Sequence, residues 1–238
     1  MARPASHVIV GIALAAALTG ASGGPAAARA PMVNQLVALR GEVLQKRLRA
    51  TSTRVRVEGR RCAVAEGTAL ASLVRARPGR IGLADYGSCS RRARDAGGLY
   101  VRSIRGQRAR GLSGWVYKVG NVLATAGAGD PAGPFGRGRL RPRQRVSWFY
   151  CRIRNASCQR TLGVRAGAGD GTITATVRGY DDDGKSVPVA GATVTAGRAE
   201  AVTDDRGVAT LAASPGTYPV RAEKSGLVPS FRERVTVP

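Results

Sequence analysis

The chain has one histidine, His7, and it stands inside an N-terminal stretch laid out like a removable leader. A mature protein without imidazole cannot run Ser-His-Asp or Cys-His catalysis, hold a histidine-ligated metal, or use that side chain as a general base. Acidic residues are few, 15 against 38 Lys plus Arg, and most lie in turn-like sequence. Glu66, Asp85 and Asp95 offer only a strained case for the paired acids of glycoside hydrolysis. No Gly-rich phosphate loop ending in Gly-Lys-Ser/Thr is present. These absences argue against an enzyme and leave no cofactor to expect.

Lysine is scarce too. Lys46, Lys118, Lys185 and Lys224 are the only lysines, so arginine carries the formal charge of +23. Such a charge favours polyanionic partners, whether nucleic acid, anionic lipid or an anionic wall polymer. Arg, Ala and Gly rising together also follow from GC-rich coding. No arginine run accompanies an RNA-binding motif or a helix-turn-helix pattern, so diffuse surface charge is expected rather than a specific nucleic-acid site.

Aromatic residues number two Trp, six Tyr and three Phe. Most fall between Tyr86 and Tyr150, which marks the better core. The C-terminal third keeps only Tyr180, Tyr218 and Phe231, so its core must be small and aliphatic.

Long apolar runs are absent apart from Val8–Leu18. With Arg3 before it and small residues from Thr19 to Ala28 after it, this run has the three parts of a secretory signal peptide. It is shorter than the ~20 residues of a permanent anchor, so no permanent membrane span is expected. Cleavage after Ala28 fits a small-x-small rule through Ala26, and the leader occupies 1–30. No cysteine ends it, which excludes a lipoprotein. Secretion or attachment at the cell surface follows.

Cys62, Cys89, Cys151 and Cys158 are even in number in an exported chain, which makes disulfides the default. Their spacing contains no Cys-x2–4-Cys zinc knuckle. Three pairings are open; Cys62–Cys89 and Cys151–Cys158 is the one expected, because each closes a local segment.

Residues 31–52 read as a lead-in helix or linker, with Val33, Leu36, Val37, Val43, Leu44 and Leu48 near helical spacing and Gly41 weakening the middle. From Thr53 the pattern alternates as in strands: Arg54–Glu58, then Ala63–Ala65. Thr68 is a suitable N-cap for a helix through Val74. Strands are expected at Leu99–Ile104, Gly114–Val119 and Val146–Ile153, and a loop, with one short strand near Leu140, over 124–145. One helix on a sheet face gives an α+β unit. Trp115 and Tyr117 share one face of their strand, as do Trp148 and Tyr150 of theirs. They are either the core beneath the helix or a platform for a small-molecule ligand.

Gly67-Thr-Ala-Leu-Ala-Ser-Leu73, Val101-Arg-Ser-Ile-Arg-Gly106, Gly114-Trp-Val-Tyr-Lys-Val-Gly-Asn121 and Arg145-Val-Ser-Trp-Phe-Tyr150 resemble, in that order, the C-terminal-domain module of transcobalamin and intrinsic factor. The resemblance covers 53–165. Gly120-Asn121 inverts the usual Asn-Gly, and Arg143-Gln144 replaces the usual Gly-Asp. It implies a β-grasp-like fold, here disulfide-stapled. In the animal relatives the module covers one face of cobalamin together with a helical domain that has no counterpart in this sequence, so that ligand is not carried over.

Residues 161–171 (TLGVRAGAGDG) read as a Gly-rich seam. Beyond it, short runs punctuated by Asp-Gly turns predict an antiparallel β-sandwich of about seven strands over 170–238, with strands at 172–178, 187–194, 208–211, 215–222 and 233–237. Pro188-Val-Ala-Gly-Ala-Thr-Val194, Thr203-Asp-Asp-Arg-Gly207 and Pro215-Gly-Thr-Tyr-Pro-Val-Arg-Ala222 resemble the carboxypeptidase-regulatory-like sandwich module, which implies a non-catalytic spacer or surface-binding role. Asp181–Asp183 lacks the alternating spacing of a calcium loop and reads as a solvated turn. The fold class expected is therefore α+β plus all-β. The function expected is binding of an anionic wall polymer or a small molecule, with a structural spacer or adhesion module as the alternative. The oligomeric state stays open.

Overall fold

The computed structural model describes residues 29–238, so the predicted leader lies outside the described residues except for its last two. Strand dominates. The N-terminal half contains β1 (Met32–Leu39), β2 (Glu42–Arg49), β3 (Thr53–Val57), β4 (Arg60–Val64), α1 (Ala69–Ala76), β5 (Ile81–Asp85), a 3-10 turn (Ala93–Ala96), β6 (Leu99–Ile104), β7 (Gln107–Arg108), β8 (Gly114–Val119), β9 (Val122–Leu123) and β10 (Arg145–Cys151). The C-terminal half contains β11 (Thr161–Gly169), β12 (Thr172–Tyr180), β13 (Ser186–Pro188), β14 (Thr193–Ala196), β15 (Ala199–Val202), β16 (Val208–Ala212), β17 (Gly216–Glu223) and β18 (Glu233–Val237).

The lead-in helix or linker expected over 31–52 is neither: residues 32–49 form two strands. These residues are the hairpin β1–β2, closed by Arg40-Gly41 with Gly41 at φ +75°. The apolar spacing misled because β1 is covered on both faces: Val33, Leu36 and Val37 are all fully buried. A strand buried on both sides loses its alternation and mimics a short helix. The central sheet runs β2-β1-β10-β8-β9, with β1 parallel to β10 and the other pairs antiparallel. β3–β4 forms a separate hairpin, and β5-β6-β7 a small antiparallel sheet set beside β8.

Helix α1 begins where expected. The Thr68 hydroxyl accepts from the Ala71 N–H, and Arg77 ends the helix in the left-handed conformation. Ala69, Leu70 and Leu73 are buried against β1 and β2, and Ser72 Oγ donates to the buried Gln35 Oε1 at 2.8 Å. The 124–144 loop has no strand near Leu140; Leu140 instead plugs the core, its N–H donating to the Gly67 carbonyl.

Both expected disulfides are present, Cys62–Cys89 and Cys151–Cys158. The first ties β4 to the loop after β5, and the second closes the turn that follows β10.

The C-terminal half is two four-stranded antiparallel sheets around a core of Val, Ala, Ile and Leu. The 161–171 segment is not a seam but strand β11, paired along its whole length with β12. Its glycines serve a contact: a Cβ on Gly163 would lie 2.7 Å from the Tyr180 ring. The run expected as one strand over 187–194 breaks at Ala190-Gly191 into β13 and β14, which belong to different sheets; β12 to β18 are the seven strands expected over 170–238, and β11 adds an eighth ahead of them.

The two halves meet on the back face of the central sheet. Phe149 packs against Val228, Arg145 lies over the Phe231 ring at 5.3 Å, and the Leu123 N–H donates to the Asp182 carbonyl. Beneath them Lys118, fully buried, donates its ammonium to the carbonyls of Tyr180 (3.1 Å) and Asp181 (2.6 Å), with Asp182 Oδ1 at 3.5 Å.

Candidate functional site

Strand pleating decides which aromatic residue reaches the surface. β8 and β10 pair so that Tyr117 faces Trp148 and Trp115 faces Tyr150, all four toward α1 and the 124–144 loop. Tyr117 stacks on Trp148 with centroids 4.9 Å apart, and Trp115 meets Tyr150 edge-on at 6.0 Å. Trp115, Tyr117 and Trp148 are 5% exposed or less. They form the core, and their outer edges back an apolar slot of about 380 Å3 fronted by Tyr86 and Tyr100. Tyr150 is half-buried at the end of the sheet, its hydroxyl donating to the Arg108 carbonyl at 3.0 Å.

The Tyr117 hydroxyl donates to the Ala126 carbonyl at 3.0 Å. Burial, with Asp130 adding repulsion, pushes its phenol well above the ordinary value. A folded-state value above the unfolded one means that this group's stabilisation is full below about pH 10 and is lost as pH rises beyond it. In an ultraviolet titration, Tyr117 is therefore expected to ionise only as the fold opens. Ionisation of all six tyrosines at ordinary values with the fold intact would contradict its burial.

Tyr150 leads to a second, different surface. A cleft of about 670 Å3 is lined by Arg40, Arg105, Arg108, Arg110, Tyr150 and Arg152, together with Gln107 and small or apolar residues, and no carboxylate lines it. Four separate segments supply these side chains: the β1–β2 turn, the β6–β7 hairpin, the turn before β8 and the residue after β10. Arg105 is held by the Pro78 carbonyl and by Glu42. The guanidinium groups of Arg40, Arg108, Arg110 and Arg152 take no ion-pair or hydrogen-bond partner among the described residues. All four residues are exposed. Two smaller hollows continue the cleft past Arg152 toward Lys224 and Arg154.

Guanidinium groups in a concave, carboxylate-free setting repel one another, which an anion relieves. Each planar fork can give two parallel N–H donors to a phosphate or carboxylate. Of the residues expected at a ligand site, Tyr150 lies in this cleft, while Trp115, Tyr117 and Trp148 lie behind it in the core. Sequence reading missed the arginines. Their one signal was Arg105-Gly-Gln-Arg-Ala-Arg110, three arginines across a tight turn after a strand.

Asp181–Asp183 is a turn as expected. Asp181 Oδ1 accepts the Lys185 N–H, and Asp182 serves Lys118 and the Cys158 N–H. Among the described residues no helix is long and apolar enough to cross a membrane. No family model, curated protein or solved structure matches the chain.

Proposed function

We propose that this is a secreted, non-catalytic protein that binds an anionic polymer of the cell surface or wall through the arginine cleft at the end of the central sheet. The observation that carries the reading is the set of four unpartnered guanidiniums around one carboxylate-free cleft. Export is supported by the predicted leader and by two disulfides, which persist in oxidising compartments. A β-grasp-like N-terminal half is supported by the hairpin–helix–parallel return strand order and by the transcobalamin-like run of motifs. A carboxypeptidase-regulatory-like C-terminal half is supported by its two antiparallel sheets. In this reading Trp115, Tyr117 and Trp148 hold the scaffold rigid, and Tyr150 and the arginines make contact.

The test is binding of long-chain polyphosphate by the mature protein and by an Arg108→Gln/Arg152→Gln variant. Both side chains are exposed and unpaired, so the melting temperature should not move. Affinity should fall about tenfold or more, and the salt dependence should weaken by roughly one contact per residue removed. Undiminished binding by the variant would remove the cleft from the account. Absence of binding by the wild type would favour the spacer reading.

A further inference from the structure

The junction between the two halves holds a second basic groove, of about 950 Å3. Arg145 lines it from the N-terminal half, and Arg165, Arg178 and Arg234 line it from the C-terminal half. Glu233, its only carboxylate, is taken by Arg145, and Arg178 is held by Ser186. Arg165 and Arg234 are exposed and carry no ion pair or side-chain hydrogen bond among the described residues. Gly163, which has no side chain, lines the groove beside Tyr180, and this leaves room there.

This groove and the first cleft lie at opposite ends of β10. Arg145 is the first residue of that strand and Arg152 follows its last, a span of roughly 20 Å at the usual strand rise. Edge strand β2 runs between the two ends. It starts at the turn that carries Arg40, in the first cleft, and its exposed Arg47 pairs across Asn34 to Arg145, beside the second. Alternation puts Arg47 on the same face as Gln45, whose Oε1 accepts the Arg232 N–H at 2.8 Å. Arg232 is exposed, and Arg234 follows it two residues on, past the Glu233 that Arg145 holds.

We propose that the two sites are the ends of one track for a linear, phosphate-bearing chain, laid from the first cleft along the β2 edge past Arg47 and Arg232 into the junction groove. The proposal rests on the anion-binding reading above. Once one end of such a chain is held, the other is at high effective concentration, so a chain long enough to span both sites gains affinity that a short anion lacks. A nucleic acid would supply phosphates too, but its single strands rely on base stacking. Of the aromatics lining the two ends, Tyr150 is already engaged edge-on with Trp115, and Tyr180 lies across Gly163.

The experiment uses the whole mature chain, with tripolyphosphate and long-chain polyphosphate as probes and Arg165→Gln/Arg234→Gln as the variant. Tripolyphosphate should occupy two sites on the wild type and one on the variant, with unchanged affinity at the remaining site. Long-chain polyphosphate should lose at least about tenfold in affinity on the variant. Unchanged long-chain affinity would overturn the track while leaving the first cleft intact. If neither probe binds the wild type, the anion-binding reading itself fails. If oligothymidine binds more tightly than polyphosphate at matched charge, the track belongs to nucleic acid and the proposal is overturned.

Discussion

Replacing Trp148 by alanine should unfold the N-terminal half or bring it close to unfolding, at a cost of about 3–5 kcal/mol. Trp148 is the largest fully buried side chain, and it sits where the sheet, α1 and the 124–144 loop converge. Its removal empties the centre of a core that has few other large residues to collapse into the space. The marginal stability of small domains, about 5–15 kcal/mol in total, makes that loss severe. Trp148→Phe should cost much less. Phenylalanine keeps an aromatic plane against Tyr117, and the Trp148 Nε1 it removes has no hydrogen-bond partner among the described residues. Urea denaturation of the three proteins checks the order. A fully stable Trp148→Ala protein would mean that the aromatic cluster is not the core.

Replacing Asp182 by alanine should cost about 3 kcal/mol, at the low end for breaking a buried ion pair. The lysine it serves, Lys118, has a side chain with no solvent exposure, so the ammonium cannot turn to water for a partner. The carbonyls of Tyr180 and Asp181 remain, which holds the penalty down. Burial already depresses the Lys118 ammonium below its ordinary value, and the Asp182 charge opposes that shift. With a folded-state value below the unfolded one, the unfolded chain binds the proton more tightly, so this group's contribution to stability rises as pH rises toward 10.5. Without Asp182 the depression deepens. The variant's deficit should therefore be smaller at about pH 9 than at about pH 7, because without Asp182 the buried lysine gives up its proton more readily in the folded protein. Lys118→Met leaves the two carbonyls unpaired, about 1–3 kcal/mol, and without the ammonium it lacks the rise in stability with pH that Lys118 gives the wild type, so its deficit should not shrink as pH rises. Equal deficits for Asp182→Ala at both pH values would mean that Lys118 is not sealed between the halves.

How far the fold could be read from the residues depended on whether an element had one wet face. Thr68 and the helix it caps, β3, β6, β8 and β12 alternate or carry clear end signals, and each formed where expected. Of the elements covered on both faces, β8 and β10 were marked by their aromatic and β-branched residues, whereas β1 was not. β1 is buried by α1 on one side and by the C-terminal half on the other, so Val33, Leu36 and Val37 spell a helix-like spacing. Arg40-Gly41, which closes its hairpin, then looks like a weak point in that helix. β11 was hidden for the opposite reason: its outer residues are Gly and Ala, which read as loop until Tyr180 is seen lying across Gly163. The disulfide partners were legible because each pair closes a short local segment.

The candidate site was legible only through Tyr150. Arg105, Arg108 and Arg110 share one short stretch, but Arg40 and Arg152 lie far from it in sequence, and their convergence depends on the parallel β1–β10 pairing, a contact between residues more than a hundred positions apart. No local pattern encodes that. The overall charge hid the cluster as well, since any arginine in this chain has others nearby in sequence.

The most direct test of the central claim is the salt dependence of long-chain polyphosphate binding to the mature, oxidised protein. The four unpartnered arginines of the first cleft alone should make affinity fall roughly fifty-fold between about 50 and 200 mM salt, linear on logarithmic axes. A steeper fall is expected if the junction groove contributes its own contacts. Binding that is absent at low salt, or present and indifferent to salt, would contradict an account in which arginine–phosphate contacts carry the function.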